Sequence, residues 1–114
     1  MNKPAQIREI DAVEAAHLAD AGKVLLLDVR EDDEWTSGHA PQARHTALGT
    51  LDPETVPRDR PVIAVCRSGN RSGKAAQALA AADHDVRNLT GGMKAWVSSG
   101  LLVVGPDGKP GQVT

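Results

Sequence analysis

Cys66 is the only cysteine of this 114-residue chain, and it opens a run of residues that could do chemistry. The residues that follow it are small, polar or basic: Arg67, Ser68, Gly69, Asn70, Arg71 and Ser72. Two arginines near a thiol favour the reactive thiolate and lower its pKa from the free value of about 8.5. Gly69 lets the backbone curl, and small polar neighbours suit a nest of N–H donors. The run therefore predicts a loop that holds an anionic sulfur.

The elements on either side of Cys66 predict where this loop lies. Val62 to Val65 is a continuous apolar run, typical of a strand covered on both faces, and an Ala-rich helix is predicted from Ser72 to Ala82. Ligands gather beyond the carboxyl ends of parallel strands, where free N–H groups and the positive end of a helix dipole favour anions. We expect the sulfur at the mouth of the sheet, with the Ser72 hydroxyl capping the helix.

The rest of the chain predicts further strands and helices in alternation, which implies a parallel sheet. The predicted strands are Gln6 to Ile10, Val24 to Leu27, a weak strand within Ala43 to Leu48, and Val86 to Leu89. The predicted helices run from an N-cap at Asp11 to Gly22, from Glu31 to Thr36, and from Met93 to Ser98 after a Gly-Gly turn. We expect one domain over residues 1–104 and a Gly/Pro-rich tail, 105–114, lying loosely on the surface.

Composition limits the classes of partner and cofactor. The chain is 40% hydrophobic but has no Phe or Tyr, so its core must be built from Ala, Val, Leu and Ile. A net charge of -2 gives no general attraction to nucleic acid or anionic membranes. No apolar run approaches the roughly 18 residues that span a bilayer, so a cytoplasmic protein is expected. One cysteine cannot form an internal disulfide, and the histidines lack metal-type spacing, so we expect no metal or cofactor.

Several of these residues also have purely structural interpretations. Cys66 could be an inert buried thiol, and isolated arginines are usually solvated. We expect His39 to stabilise a turn through hydrogen bonds, and the remaining histidines to lie on the surface. The residues expected to serve surface or packing roles are His17, His45 and His84 on the surface, Trp35 and Trp96 in packing, and Asp32, Asp33 and Glu34 in the first turn of a helix.

The segment Cys66 to Ser72 resembles the active loop of the rhodanese family, which begins with cysteine. Further stretches that resemble the family are Leu27-Asp28-Val29-Arg30, Glu34-Trp35, Gly38-His39-Ala40-Pro41, and Leu89 to Trp96 with its Gly-Gly turn. The resemblance covers roughly residues 5 to 104. It implies a doubly wound α/β fold, with a mostly parallel sheet flanked by helices.

The resemblance also implies sulfur transfer through a persulfide on Cys66. The thiolate would take the outer sulfur of an anionic donor such as thiosulfate, release sulfite, and pass the sulfur to cyanide, a thiol or a sulfur-relay protein. Arg67 and Arg71 would attract the donor, and the amides from Arg67 to Ser72 would hold the persulfide. Asp28 and Arg30 would be structural.

The chain departs from the family pattern at Gln42 to Ala47, which predicts a weaker strand or a more polar mouth there. Other functions remain open at this point. A phosphatase or arsenate reductase loop requires arginine six positions after cysteine, where this chain has Ser72. A binding or regulatory module without catalysis would share the fold, and so would a sulfur carrier loaded by a partner protein.

Overall fold

The computed structural model describes residues 6–114. Its strands are β1 (Arg8–Ile10), β2 (Leu25–Asp28), β3 (Arg44–His45), β4 (Val62–Val65) and β5 (Val86–Leu89). Its helices are α1 (Ala12–Asp20), α2 (Asp32–Ser37), α3 (Asn70–Ala81) and α4 (Gly92–Ser98), with short 3-10 turns at Leu48–Thr50, Pro53–Thr55 and Pro106–Gly108. Within residues 6–114, none of the helices has the length and apolar character needed to cross a membrane.

The five strands form one sheet in the order β1-β5-β4-β2-β3, and every pairing is parallel. All residues of β2 and β4 are buried, because their continuous apolar runs are covered on both faces. Ile63 and Val65 pack in the cluster that includes α1 and α4, whereas Val62 and Ala64 pack against the face that includes α3. The predicted parallel α/β fold, with helices on both faces, is confirmed.

The edge strand β3 is shorter than the predicted segment. It has only two residues, whose partners in β2 are Leu27 and Asp28. The side chain of Gln42, just before this strand, donates from Nε2 to Asp20 Oδ1 at the end of α1 over 2.8 Å. The unusual composition of residues 42–47 thus coincides with a minimal strand, as the departure from the family pattern predicted.

A buried ion pair closes the carboxyl end of β2. Arg30 has no exposed surface, and its Nε and Nη2 donate to the two carboxylate oxygens of Asp28 over 3.0 and 2.7 Å. Nη2 also donates to the carbonyl of Gly38, at the end of α2, over 2.8 Å. The pair therefore ties the end of the strand to the carboxyl end of the short helix that follows it, in agreement with the structural role that the family resemblance implied.

The expectation of a loose C-terminal tail is wrong. Gly111 N donates to Val103 O over 3.0 Å, and Gln112 N donates to Ser37 O over 2.9 Å. A side chain at Gly38 would collide with the backbone of Gln112, so this glycine permits close contact between two chain segments. Val113 packs against the core. The Gly/Pro-rich composition reflects irregular but hydrogen-bonded backbone, which composition alone does not distinguish from a mobile segment.

Candidate active site

Cys66 follows β4 directly, at the carboxyl end of the strand between β5 and β2. Its Sγ accepts a hydrogen bond from the backbone N–H of Gly69 over 3.0 Å, and the Ser72 hydroxyl lies 3.3 Å away. The residue is only 1% exposed, so it is buried more deeply than expected for a sulfur at the mouth of the sheet. The position after the strand agrees with the prediction, but the degree of burial does not.

The loop enters α3 two residues earlier than predicted. Gly69 is the N-cap residue, with φ of 112°, a conformation that side chains disfavour, and the helix begins at Asn70. Ser72 therefore lies in the first turn of α3, and the prediction that it caps this helix is wrong. Its hydroxyl instead contacts three acceptors, including the sulfur.

Asn88 in β5 completes this cluster, and sequence reasoning missed it. The Ser72 hydroxyl lies 2.5 Å from Asn88 Oδ1, and Asn88 Nδ2 donates to the Gly69 carbonyl over 3.2 Å. Ser72 has one hydroxyl hydrogen, so the amide of Asn88 and the sulfur of Cys66 compete for it. The signal available in the sequence was the amide side chain of Asn88 near the end of the predicted strand Val86 to Leu89.

Burial and hydrogen bonding act in opposite directions on the Cys66 thiol. Burial raises its pKa, because a charged sulfur is poorly solvated in the interior. Hydrogen bonds from the Ser72 side chain and from the backbone amides of Ser72, Gly69 and Ser68 lower the pKa and outweigh that effect. The pKa of Cys66 therefore lies below its ordinary value, as the loop composition predicted. The leading groups that lower the pKa are neutral donors, and the charged sulfur in turn helps to raise the pKa of Arg71, so this guanidinium also interacts with it.

Arg71 forms an ion pair with Glu34 that the sequence did not predict. Nη1 and Nη2 of Arg71 each donate to one carboxylate oxygen, over 2.5 and 2.8 Å. Glu34 also accepts from the backbone N–H of Glu31, so it closes a capping box at the start of α2. The positive charge of Arg71 is thus opposed by a carboxylate, and the pair connects α2 to the Cys66 loop.

The other loop residues face outward. Arg67, Ser68 and Asn70 are exposed, and Arg67 Nε donates to the main-chain oxygen of Thr114 over 2.8 Å. Of the predicted loop residues, Gly69 and Ser72 therefore contact the sulfur, and Ser68 lowers the pKa of Cys66 through its backbone amide.

Acidification should test the Glu34–Arg71 pair. Hydrogen bonding from Arg71, against the opposing effect of burial, lowers the pKa of Glu34 from 4.5 to about 2. A carboxylate whose pKa is lowered by folding contributes stability above its unfolded pKa, and loses it as the pH falls toward the folded value. We expect this contribution, about 1–2 kcal/mol after allowance for solvent screening, to disappear between about pH 4.5 and pH 2.

The measurement is the free energy of urea unfolding of the parent and of Glu34→Gln as a function of pH. The difference between the two proteins should shrink on acidification. Glu54→Gln is the matched control, since Glu54 forms an exposed pair with Arg58 over 3.6 Å. A parent–Glu34→Gln difference that is independent of pH would contradict a stabilising role for the ion pair.

Within residues 6–114, no histidine is hydrogen-bonded to the Cys66 sulfur. His39 Nδ1 lies 2.7 Å from the Trp35 carbonyl, in agreement with a turn-stabilising role. His39 and His45 both stack on Trp35, with ring centroids 3.6 and 4.9 Å from the indole. His84 is buried and hydrogen-bonded to the Pro53 carbonyl, so its predicted surface position is wrong. Residues 6–114 contain no group of three or more His, Cys, Asp or Glu side chains placed to hold a metal ion.

Comparison with known proteins agrees with this geometry. The family described as Rhodanese-like domain matches residues 11–99. A sulfurtransferase of Allochromatium vinosum is 37% identical over 106 residues, covering 90% of this chain and 99% of the relative. The putative sulfurtransferase YtwF of Bacillus subtilis is 36% identical over 94 residues, covering 80% of this chain and 91% of the relative.

Solved structures show the same fold. A rhodanese-related protein from Thermoplasma volcanium superposes with a TM-score of 0.79 at 26% identity, covering 85% of this chain and 97% of that one. A rhodanese-like domain protein from Staphylococcus aureus gives a TM-score of 0.72 at 30% identity, covering 79% and 91%. The fold and site define an α/β protein whose parallel sheet carries a cysteine loop after its central strand. The chain belongs to the rhodanese-like domain family. Its similarity to two relatives named as sulfurtransferases supports membership of a sulfurtransferase group.

Proposed function

We propose that this protein transfers sulfane sulfur from thiosulfate, or a related anionic donor, to a thiophilic acceptor through a persulfide on Cys66. The observation that carries the proposal is the set of neutral donors around Sγ: the amides of Ser68, Gly69 and Ser72, and the Ser72 hydroxyl. These donors stabilise the charged thiolate, so the site needs no neighbouring general base to deprotonate the cysteine. They suit a persulfide as well as a thiolate, since both are anions held at the amino end of a helix.

The reaction divides into two displacements. In the first, the Cys66 thiolate attacks the outer sulfur of thiosulfate, a new S–S bond forms on Cys66, and the S–S bond of the donor breaks as its electron pair leaves with sulfite. In the second, cyanide attacks the outer sulfur of the persulfide and leaves as thiocyanate, and the electron pair of the broken bond restores the thiolate. This sequence is a ping-pong scheme.

The composition of the loop disfavours hydrolysis of phosphate esters. That reaction needs a guanidinium that wraps the phosphate oxygens. The residue six positions after Cys66 is Ser72, whose hydroxyl contacts the sulfur, and the guanidinium of Arg71 is engaged by Glu34. Arg67 pairs with no Asp or Glu side chain among residues 6–114, but its Nε donates to the main-chain oxygen of Thr114 over 2.8 Å. We therefore assign attraction of the anionic donor to the positive charges of Arg67 and Arg71 together.

Intact mass spectrometry tests the proposal. The purified protein is incubated with thiosulfate, its mass is measured, cyanide is added, and the mass is measured again. We expect the gain of one sulfur atom and its loss to cyanide, and neither change in Cys66→Ser. A parent protein that gains no sulfur, or a Cys66→Ser variant that gains as much as the parent, would overturn the proposal.

A further inference from the structure

Asn88 is a buried polar side chain of the Cys66 site to which the two displacements described above assign no role. It lies in β5, whose backbone pairs with β1 on one side and with β4 on the other, so both neighbouring strands hold its position. Only 8% of the residue is exposed. A buried amide needs partners for its oxygen and its nitrogen, and this one bonds to Ser72 and to Gly69.

The orientation of the Asn88 amide follows from these partners. The Gly69 carbonyl can only accept a hydrogen bond, so the NH2 group of Asn88 is the side that faces it, over 3.2 Å. The amide oxygen therefore faces Ser72, and it lies 2.5 Å from the hydroxyl oxygen. The same hydroxyl lies 3.3 Å from Cys66 Sγ, so its single hydrogen has an acceptor on each side.

The charge on the sulfur decides which of the two acceptors is stronger. A neutral sulfur is a weak acceptor, so a Cys66 thiol leaves the Ser72 hydrogen on the short bond to Asn88. A thiolate is an ionised acceptor, whose hydrogen bonds are roughly twice as strong as neutral ones, and it draws the hydrogen to itself. Ser72 has no exposed surface, so bulk water does not offer its hydroxyl another partner.

We propose that Asn88 is a positioning residue, which holds the Ser72 hydroxyl hydrogen whenever Cys66 Sγ carries no charge and releases it to the thiolate. For the sulfur-loaded state, the inference rests on the proposed function. In that state the negative charge is on the outer sulfur, Sγ is a neutral sulfur within an S–S bond, and the hydrogen returns to Asn88. The hydrogen stays covalently bound to Ser72 throughout, and only its hydrogen-bond acceptor changes.

Two different roles of Asn88 predict opposite effects on the ionisation of Cys66. An amide that only anchors the loop, through the Gly69 carbonyl, would keep the backbone donors in place, and its removal would raise the pKa of the thiol. An amide that competes for the Ser72 hydrogen stabilises the neutral thiol, and its removal lowers this pKa. The direction of the change therefore separates the two roles.

The charged groups around the site come from four elements and from the loop itself. Arg71 of α3 interacts with the charged sulfur, and Glu34 of α2 opposes Arg71. The exposed charged groups nearby are Arg67 on the loop, Lys94 in the first turn of α4, and Glu9 of β1, which is next to Asn88 in the strand register. Every variant below keeps these five groups, so their effect cancels when the variants are compared.

The test is the pH dependence of Cys66 alkylation by iodoacetamide in Asn88→Leu, which keeps the size of the side chain and removes its oxygen. We expect the midpoint to fall, with about two- to fivefold faster alkylation below both midpoints, as for one neutral hydrogen bond. The effect is at the lower end because the Gly69 carbonyl, 3.2 Å from the Ser72 hydroxyl, offers a replacement. Asn88→Leu should leave the midpoint of Ser72→Ala unchanged, but should lower that of Ser68→Ala as in the parent.

The fraction of sulfur-loaded protein gives a second measurement. At a fixed ratio of thiosulfate to sulfite, and at a pH above both midpoints, Asn88→Leu should lower the ratio of loaded to free protein about two- to fivefold. Intact mass spectrometry measures this ratio. Asn88→Ala removes the same oxygen without an added branch, and it replaces Asn88→Leu in both measurements where leucine disturbs the folding of β5.

The outcomes separate this inference from the proposed function. A midpoint that rises or stays unchanged on loss of the Asn88 oxygen, or that falls equally in Ser72→Ala, overturns the role of Asn88. A loaded fraction equal to that of the parent overturns its role in the sulfur-loaded state. A parent protein that gains no sulfur from thiosulfate refutes the proposed function, while the alkylation midpoints still decide whether Asn88 competes with the sulfur for the hydrogen.

Discussion

Arg30→Met is expected to lower the free energy of unfolding by about 3–5 kcal/mol. The substitution keeps most of the side-chain volume but removes the guanidinium that pairs with Asp28, where both side chains have no exposed surface. The Asp28 carboxylate would then keep one hydrogen bond, from the backbone N–H of Arg30 over 3.0 Å, and its charge would be buried without a partner. Urea unfolding at neutral pH measures the loss.

Two further variants isolate the cause of this loss. Arg58→Met removes a guanidinium that pairs with Glu54 at an exposed site, and should cost less than about 1 kcal/mol. Asp28→Leu combined with Arg30→Met removes both charges and should be less destabilised than Arg30→Met alone. If Arg30→Met costs no more than Arg58→Met, the buried pair does not hold the end of β2 in place.

Ser72→Ala is expected to raise the pKa of Cys66 by about one unit. Burial raises the pKa of this thiol, and the Ser72 hydroxyl is the foremost of the groups that lower it. A hydrogen bond to a charged group contributes about 1.5–3 kcal/mol, and one pKa unit corresponds to about 1.36 kcal/mol. We take the lower end of that range, because Asn88 Oδ1 competes for the same hydroxyl hydrogen at 2.5 Å.

The pH dependence of Cys66 alkylation by iodoacetamide measures this shift. Less thiolate at a given pH means slower alkylation, so at pH values below both midpoints the variant should react about tenfold more slowly than the parent. Ser68→Ala is the control for the midpoint, since Ser68 acts on the sulfur through its backbone amide, which the substitution keeps. An unchanged midpoint in Ser72→Ala would remove Ser72 from the groups that ionise the sulfur.

The parts of the site that lie close together in the chain were predictable. The apolar run Val62 to Val65 predicted that Cys66 follows the end of a strand, and the composition of residues 67–71 indicated a tight loop of hydrogen-bond donors. Local patterns suffice there, because backbone geometry alone brings the Gly69 amide 3.0 Å from a sulfur three residues earlier. The same holds for the Asp11 side chain, which accepts from the N–H of Glu14 and caps α1 as predicted.

The contacts that join distant segments were not predictable from one sequence. Asn88 reaches the loop because β5 pairs with β4, and Glu34 meets Arg71 across 37 positions of the chain. Ser72 was assigned to the wrong helical position, since Gly69 ended the loop two residues earlier than helix propensity indicated. Each of these contacts depends on strand order and helix entry angle, which no short pattern specifies.

The stacking of Trp35 with His39 and His45 has an optical consequence. The chain has no tyrosine, so its near-ultraviolet emission comes from two indoles: Trp96, enclosed in the core, and Trp35, which stacks with two imidazoles. Trp35 is next to Glu34 in the chain, and Glu34 pairs with Arg71 beside the sulfur loop. The intrinsic fluorescence of Trp35 can therefore be used to follow changes near this loop without an attached dye.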